Sequence, residues 1–261
     1  MAVVRLICWI WVSICCGALC LHLANPSPPT DAATAEEVAP TEQNRDAEKE
    51  AAADSGWNLF SLSVNVFFLH GVTLILIFHL VRQHQTTWRE AFGIGSPGFG
   101  KAALMATGIV VVAVPLTLFF AVASAQVMEA LNAQPKTQQA VQMAEAAAPG
   151  LNRFALGAIA ILIAPLVEEL LFRGVFYPTI KQSGYPRLAV YGTSLLFALS
   201  HGNAMTFLPL ALLSLALIWL YEKTNNLLAP ILAHSLFNAA NFVMIILKVD
   251  PRVWLKNFPH G

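Results

Sequence analysis

The chain has 261 residues, of which 57% are hydrophobic and 11% charged, with acidic and basic residues in equal number. Soluble domains are about a quarter charged, so this composition is that of a protein built for lipid, and no basic stripe points to nucleic acid. All four cysteines (Cys8, Cys15, Cys16, Cys20) fall within the first 20 residues, which excludes a disulfide framework or a cysteine metal ribbon in the remainder.

Residues 1–24 place Arg5 ahead of an apolar run from Leu6 to Leu23, the pattern of a signal peptide or an uncleaved anchor helix. Ala18 and Ala24 are the small residues a cleavage site would use, and Leu19 before Cys20 does not suit a lipoprotein signal. Residues 25–56 change character: Ala, Glu, Pro and Thr dominate, aromatics vanish, and eight acids face two bases. Such a stretch buries too little apolar surface to fold alone and is expected as an acidic disordered linker or a fraying helix.

From Trp57 the pattern is that of membrane helices, each needing about 20 apolar residues to span a bilayer. Expected spans are 58–81, 102–131 (loosened near Pro115), 152–177, 188–202, 206–221 and 227–247, followed by a polar tail at 248–261. Residues 82–101 read as an interfacial amphipathic piece with a glycine-rich turn. The expected fold class is all-α: a polytopic transmembrane helical bundle with a polar intramembrane cavity, its membrane domain covering 57–247. Arg82, Arg89, Lys101, Lys181, Arg187 and Lys223 would share one side, against Lys136 and Arg153 on the other. The positive-inside rule places the first group in the cytoplasm and the acidic linker outside, although Lys248, Arg252 and Lys256 in the tail oppose this.

The stretch VEELLFRG (167–174) sets Glu168, Glu169 and Arg173 in this apolar background, the only formal charges between Arg153 and Lys181. Intramembrane charges are costly and mark function by default. Glu169 and Arg173 lie four apart on one helix face, and Glu168 turns about 100° away from Glu169. Phe197 and His201 in FALSH are also four apart, as are His234 and Asn238 in HSLFN. Taken singly, each pair fits interhelical glue. Together they put two carboxylates, two imidazoles and an amide on helices of one segment, a set suited to chemistry.

No serine or cysteine sits in a nucleophile setting, so a covalent route is not indicated. A carboxylate in a low-dielectric site is a competent general base for water, and an imidazole N–H with an asparagine amide suits a tetrahedral oxyanion. A metal reading stays open beside it. Glu168, His201 and His234 make a His₂Glu set of the kind found in hydrolytic zinc sites, without the HExxH spacing. A third reading is a non-catalytic membrane scaffold or immunity-type protein in which the polar set only fixes packing.

EELLFR (168–173) resembles the EExxxR motif of the CPBP family of CAAX-protease and bacteriocin-processing (Abi) proteins. FALSH (197–201) resembles its FxxxH motif and HSLFN (234–238) its HxxxN motif, in the same order, with all three motifs inside 152–247. The resemblance implies an intramembrane glutamic endopeptidase without a cofactor, its cavity open to the cytosol. It implies that Glu168 activates water with help from His201, that His234 and Asn238 bind the oxyanion, and that Glu169 and Arg173 hold the motif helix. The expected partners are the lipid bilayer and a peptide or protein substrate, lipidated or membrane-anchored, in a bacterial cytoplasmic membrane crossed several times. The CAAX substrate comes with the family label and not from these residues. Around the motifs, Pro165 suits a kink, Gly174 and Pro178 an end or distortion of the helix, and Pro230 a first helical turn. His70 and His79 read as packing residues, and His84 and His260 as solvent-facing.

Overall fold

The computed structural model describes residues 5, 8–10, 12–13, 15–17, 20, 64, 66–94, 98–147 and 150–249. The expectations for the linker at 25–56, for His260, and for most of the first segment and the tail therefore lie outside the described residues. No strand occurs among the described residues. Within hydrocarbon a backbone must satisfy its own N–H and C=O groups, and helices do this segment by segment.

In chain order the helices are α1 (Val66–Gln83), α2 (Trp88–Phe92), α3 (Phe99–Ala130), α4 (Gln139–Ala146), α5 (Leu151–Gln182), α6 (Pro186–Ser200), α7 (Ala204–Thr224) and α8 (Leu228–Ile246). Five of them, α1, α3, α5, α7 and α8, are long and apolar enough to cross a membrane. The chain is an integral membrane protein built as a helical bundle. The described residues divide between Thr73 and Leu74 into two units, and the unit from Leu74 onward holds everything discussed below.

Packing in this second unit follows from small side chains. Ala102, Ala106 and Ala113 line one side of α3 and are buried against Leu213, Leu217 and Leu220 of α7 and Ala229, Ala233 and Phe237 of α8. Lipid gives helices no hydrophobic reason to associate, so close approach through alanines supplies the contact. α3 runs unbroken through Pro115. The turn beyond it is tied by Thr117 Oγ1, which donates to Ala113 O at 2.8 Å.

The ends of the bundle are distinguished by contacts between turns. At one end the Leu227 N–H donates to Phe92 O at 2.9 Å, and Lys181 pairs with Glu222 at 2.6 Å. Gly93 (φ 65°) lies so close to the 225–226 turn that a Cβ would fall 2.0 Å from Asn225 O, which requires glycine there. α2 begins with a capping box: Thr87 Oγ1 accepts from Glu90 N, and Glu90 accepts from Thr87 N. Those Thr87 bonds, the backbone N–H foremost, hold the Glu90 carboxyl below its usual range. At the opposite end Asn203 caps α7 through Thr206 N and donates to Lys136 O at 2.8 Å.

α5 departs from the expected span. It does not stop at Tyr177 but continues to Gln182, and Gly174 and Pro178 distort it without ending it. Two π turns interrupt it, Ile159–Ile163 and Phe172–Phe176, each followed two residues later by a proline, Pro165 and Pro178. A proline ring clashes with the carbonyl four residues back in a regular α-helix, and the wider turn relieves that clash. Between the two π turns lies Ala164–Leu171, the regular piece that carries both glutamates.

A prediction about the ends follows from charge. In a variant whose four cysteines are replaced, a single cysteine at Ala204 should react with a membrane-impermeant maleimide on intact cells, whereas one at Lys223 should react only after permeabilisation. The opposite labelling pattern would invert the bundle.

Candidate active site

Phe172, Phe197 and Leu213 wall in the interior of the bundle, and within it stand Glu169 and Arg173, both with side chains 0% exposed. Arg173 Nη1 donates to Glu169 Oε1 at 2.7 Å, and Nη2 donates to Ser214 Oγ at 2.8 Å and Ser214 O at 3.1 Å. Its guanidinium also lies over the Phe197 ring, 4.8 Å from the centroid, a cation–π contact strengthened by the absence of water. The four-residue spacing therefore makes the expected pair, and Ser214 extends it to α7.

Glu169 does more than hold a helix. The same Oε1 lies 2.8 Å from His234 Nδ1. An oxygen already accepting from Arg173 is an acceptor toward His234 too, so Nδ1 carries the hydrogen and Nε2 is left facing the other way. His201 is set by the same logic: its Nδ1 lies 2.8 Å from Phe197 O, which can only accept, so its Nε2 is also the free nitrogen. This is the physical use of the four-residue spacing in FALSH. The Phe197 ring contacts both imidazoles, at centroid distances of 4.8 and 5.6 Å.

Glu168, one residue away and turned to another face, receives both free nitrogens. Its Oε2 is 3.8 Å from His234 Nε2 and 4.0 Å from His201 Nε2. The Glu168 side chain is 26% exposed, yet Oε2 itself is occluded and makes no hydrogen bond among the described residues. With neutral rings, Glu168 Oε2 faces two further acceptors at separations wider than a hydrogen bond. A proton donor or a cation satisfies such a set. The arrangement has two layers: a sealed one of Glu169, Arg173, Ser214 and His234 Nδ1, and a half-open one of Glu168 with the two Nε2 atoms.

Asn238 makes a contact that its spacing from His234 does not indicate. Its Nδ2 donates at 2.8 Å to Ala160 O, in the first π turn of α5, and its second amide hydrogen remains for another acceptor. His79 bonds Gln83 within α1 and His84 is exposed; neither joins the site. Ser214 and the Ala160 carbonyl were missed in the sequence. Ser214 was detectable as the one hydroxyl in the apolar run from Phe207 to Leu220; a backbone carbonyl leaves no such mark.

The metal expectation can be compared with these distances. Two ligands on a tetrahedral zinc, bound at 2.0–2.2 Å, lie about 3.3–3.6 Å apart. The separations of 3.8 and 4.0 Å are wider. Among the described residues no group of three His, Cys, Asp or Glu is gathered as a metal-binding set.

Residues 150–240 match the family model described as "Type II CAAX prenyl endopeptidase Rce1-like". This segment is similar to the CPBP family of CAAX proteases. All three motif pairs lie inside it, and so does every side chain of the two layers. Two curated relatives from Lactococcus lactis subsp. lactis (strain IL1403) are similar to part of the chain. The UPF0177 protein YxdF is 38% identical over 78 residues, 30% of this chain and 42% of the relative. The UPF0177 protein YaiF is 37% identical over 86 residues, 31% of this chain and 37% of the relative. The chain thus spans less than half the length of these two relatives. No solved structure matches the chain. His201 closes α6 at the 201–203 turn, the end remote from the loops that charge assigns to the cytoplasm. The CPBP expectation of a cytosolic opening and the charge count therefore point to opposite sides of the membrane.

Breaking a buried ion pair by removing one partner costs about 3–5 kcal/mol. Arg173→Ala should lose that much, read as folded protein recovered in detergent. Replacing both charges together, Glu169→Gln with Arg173→Met, should recover part of the loss. Equal melting of Arg173→Ala and the parent would remove the pair from the foundations of the fold.

Proposed function

We propose that this chain is an intramembrane endopeptidase that hydrolyses peptide bonds with water activated by Glu168. The match of residues 150–240 to the Rce1-like CAAX protease family model supports a membrane protease acting on a peptide or protein. The single observation that carries the catalytic assignment is the convergence of Glu168 Oε2 with the Nε2 atoms of His201 and His234, at 4.0 and 3.8 Å.

In this mechanism Glu168 takes a proton from water as the hydroxyl oxygen adds to the scissile carbonyl carbon. The carbonyl π electrons move to oxygen, and the oxyanion is met by donors. His234 donates through Nε2 in its imidazolium form, the second proton taken from solvent beforehand and kept throughout, its Nδ1–H being held by Glu169, and the free amide hydrogen of Asn238 is the second donor. His201 Nε2 shares the proton with Glu168. The C–N bond then breaks as that proton passes to the leaving nitrogen, giving a carboxylic acid and an amine. General-base catalysis of this kind contributes about 10²–10⁴-fold. A partly enclosed, low-dielectric setting strengthens each electrostatic contact.

The substrate class is a membrane-anchored or lipid-bearing peptide, and the setting a bacterial cytoplasmic membrane, in keeping with the Lactococcus relatives. A metal-dependent hydrolase using Glu168, His201 and His234 is the competing mechanism, favoured by the three facing acceptors and opposed by their spacing.

The test compares peptides accumulating in cells that express the parent with those expressing Glu168→Gln, which keeps size but removes the base. Loss of specific cleavage products by about a hundredfold or more, with folded protein intact, is expected. An unchanged peptide set would leave a scaffold role instead. Stoichiometric metal in the purified protein, with chelator-sensitive cleavage, would replace Glu168-activated water by metal chemistry.

A further inference from the structure

Asn238 reaches across from α8 to a backbone carbonyl, and the identity of that carbonyl is informative. At the end of the first π turn the Ala164 N–H donates to Ile159 O, five residues back. In the same register the next donor, at position 165, would serve Ala160 O. Position 165 is proline and has no N–H. Ala160 O is therefore the carbonyl orphaned by Pro165, and Asn238 Nδ2 bonds it at 2.8 Å, from 78 residues further along the chain. An unpaired carbonyl at membrane depth is costly, so the amide meets a need that the proline creates.

The same bond governs direction. In a regular α-helix the Ala164 N–H would turn to Ala160 O, four residues back. Two features oppose this. Asn238 already satisfies that oxygen, so the closer register gains little there, and the Pro165 ring clashes with the Ile161 carbonyl in the regular register. A π turn adds one residue to its turn, so losing it would rotate everything beyond by about 100° relative to the first part of α5. Glu168 stands three residues past Pro165. Rotation of that size would carry its carboxylate away from His201 and His234.

We propose that Pro165 and Asn238 together form a register lock, in which the amide fills the bond the proline cannot make and so aims Glu168 at the two imidazoles. Asn238 is in this respect a positioning residue acting through Ala160. The purpose of the aim rests on the protease reading above; the lock itself does not.

The test measures the aim without a substrate. In protein labelled with ¹⁵N-histidine and held in detergent, Glu168→Gln should shift the side-chain nitrogen resonances of His201 and His234. The same Glu168→Gln comparison is then made in an Asn238→Ala background and in a Pro165→Ala background. In both, the shift should fall to less than half its parental size. Pro165→Ala trims a buried ring but leaves the Asn238 amide in place and restores a donor, so it remains informative if Asn238→Ala does not accumulate. A folded variant of either kind that keeps the parental shift overturns the lock, as does the absence of a shift in the parent. Failure of Glu168→Gln to alter the cellular peptide set, with these shifts behaving as expected, would sink the protease reading and leave the lock standing.

Discussion

The buried pair of Glu169 and Arg173 is the constraint on which the rest of this membrane unit depends. Two charges with no exposed surface are tolerable only when each is neutralised and hydrogen-bonded. The structure spends one side chain from each neighbouring element to achieve this: Ser214 from α7, the Phe197 ring from α6 and His234 from α8. Four helices are thereby tied to one ion pair at a depth where water cannot replace any of them. Because Glu169 takes the Nδ1 hydrogen of His234, the requirement for charge neutrality also fixes which nitrogen His234 presents to Glu168. Fold and chemistry share the same atoms.

Division of labour between adjacent glutamates follows from helical geometry. One residue along a helix is about 100° around it, so one carboxylate faces the sealed layer and the other the half-open one. His234 stands between them and touches both systems through opposite ring nitrogens, 2.8 Å from Glu169 and 3.8 Å from Glu168. The two π turns of α5 add a second level of aim, since each shifts the phase of the residues beyond it. Wide turns of this kind recur at functional sites because they re-point side chains without breaking a helix.

The family match covers the motif helices and stops there. The relatives share a segment of 78 to 86 residues with this chain and extend well beyond it. The α3 helix, whose alanines back α7 and α8, lies outside the matched segment, as does the Lys136 turn that Asn203 holds.

Composition and hydropathy alone determined that the chain is helical and membrane-embedded, because lipid permits few other backbones. The four-residue spacings named Glu169 with Arg173, Phe197 with His201, and His234 with Asn238, since residues one turn apart must share a face. The partners that lie on other helices were beyond sequence: His234 on Glu169, Ser214 on Arg173, and Asn238 on the Ala160 carbonyl, 78 residues away. His234 and Asn238 lie one turn apart on α8 yet bond to different parts of α5. Spacing along one rod is set by local covalent geometry, whereas contacts between rods depend on where each crosses its neighbours. Only the packed bundle decided that.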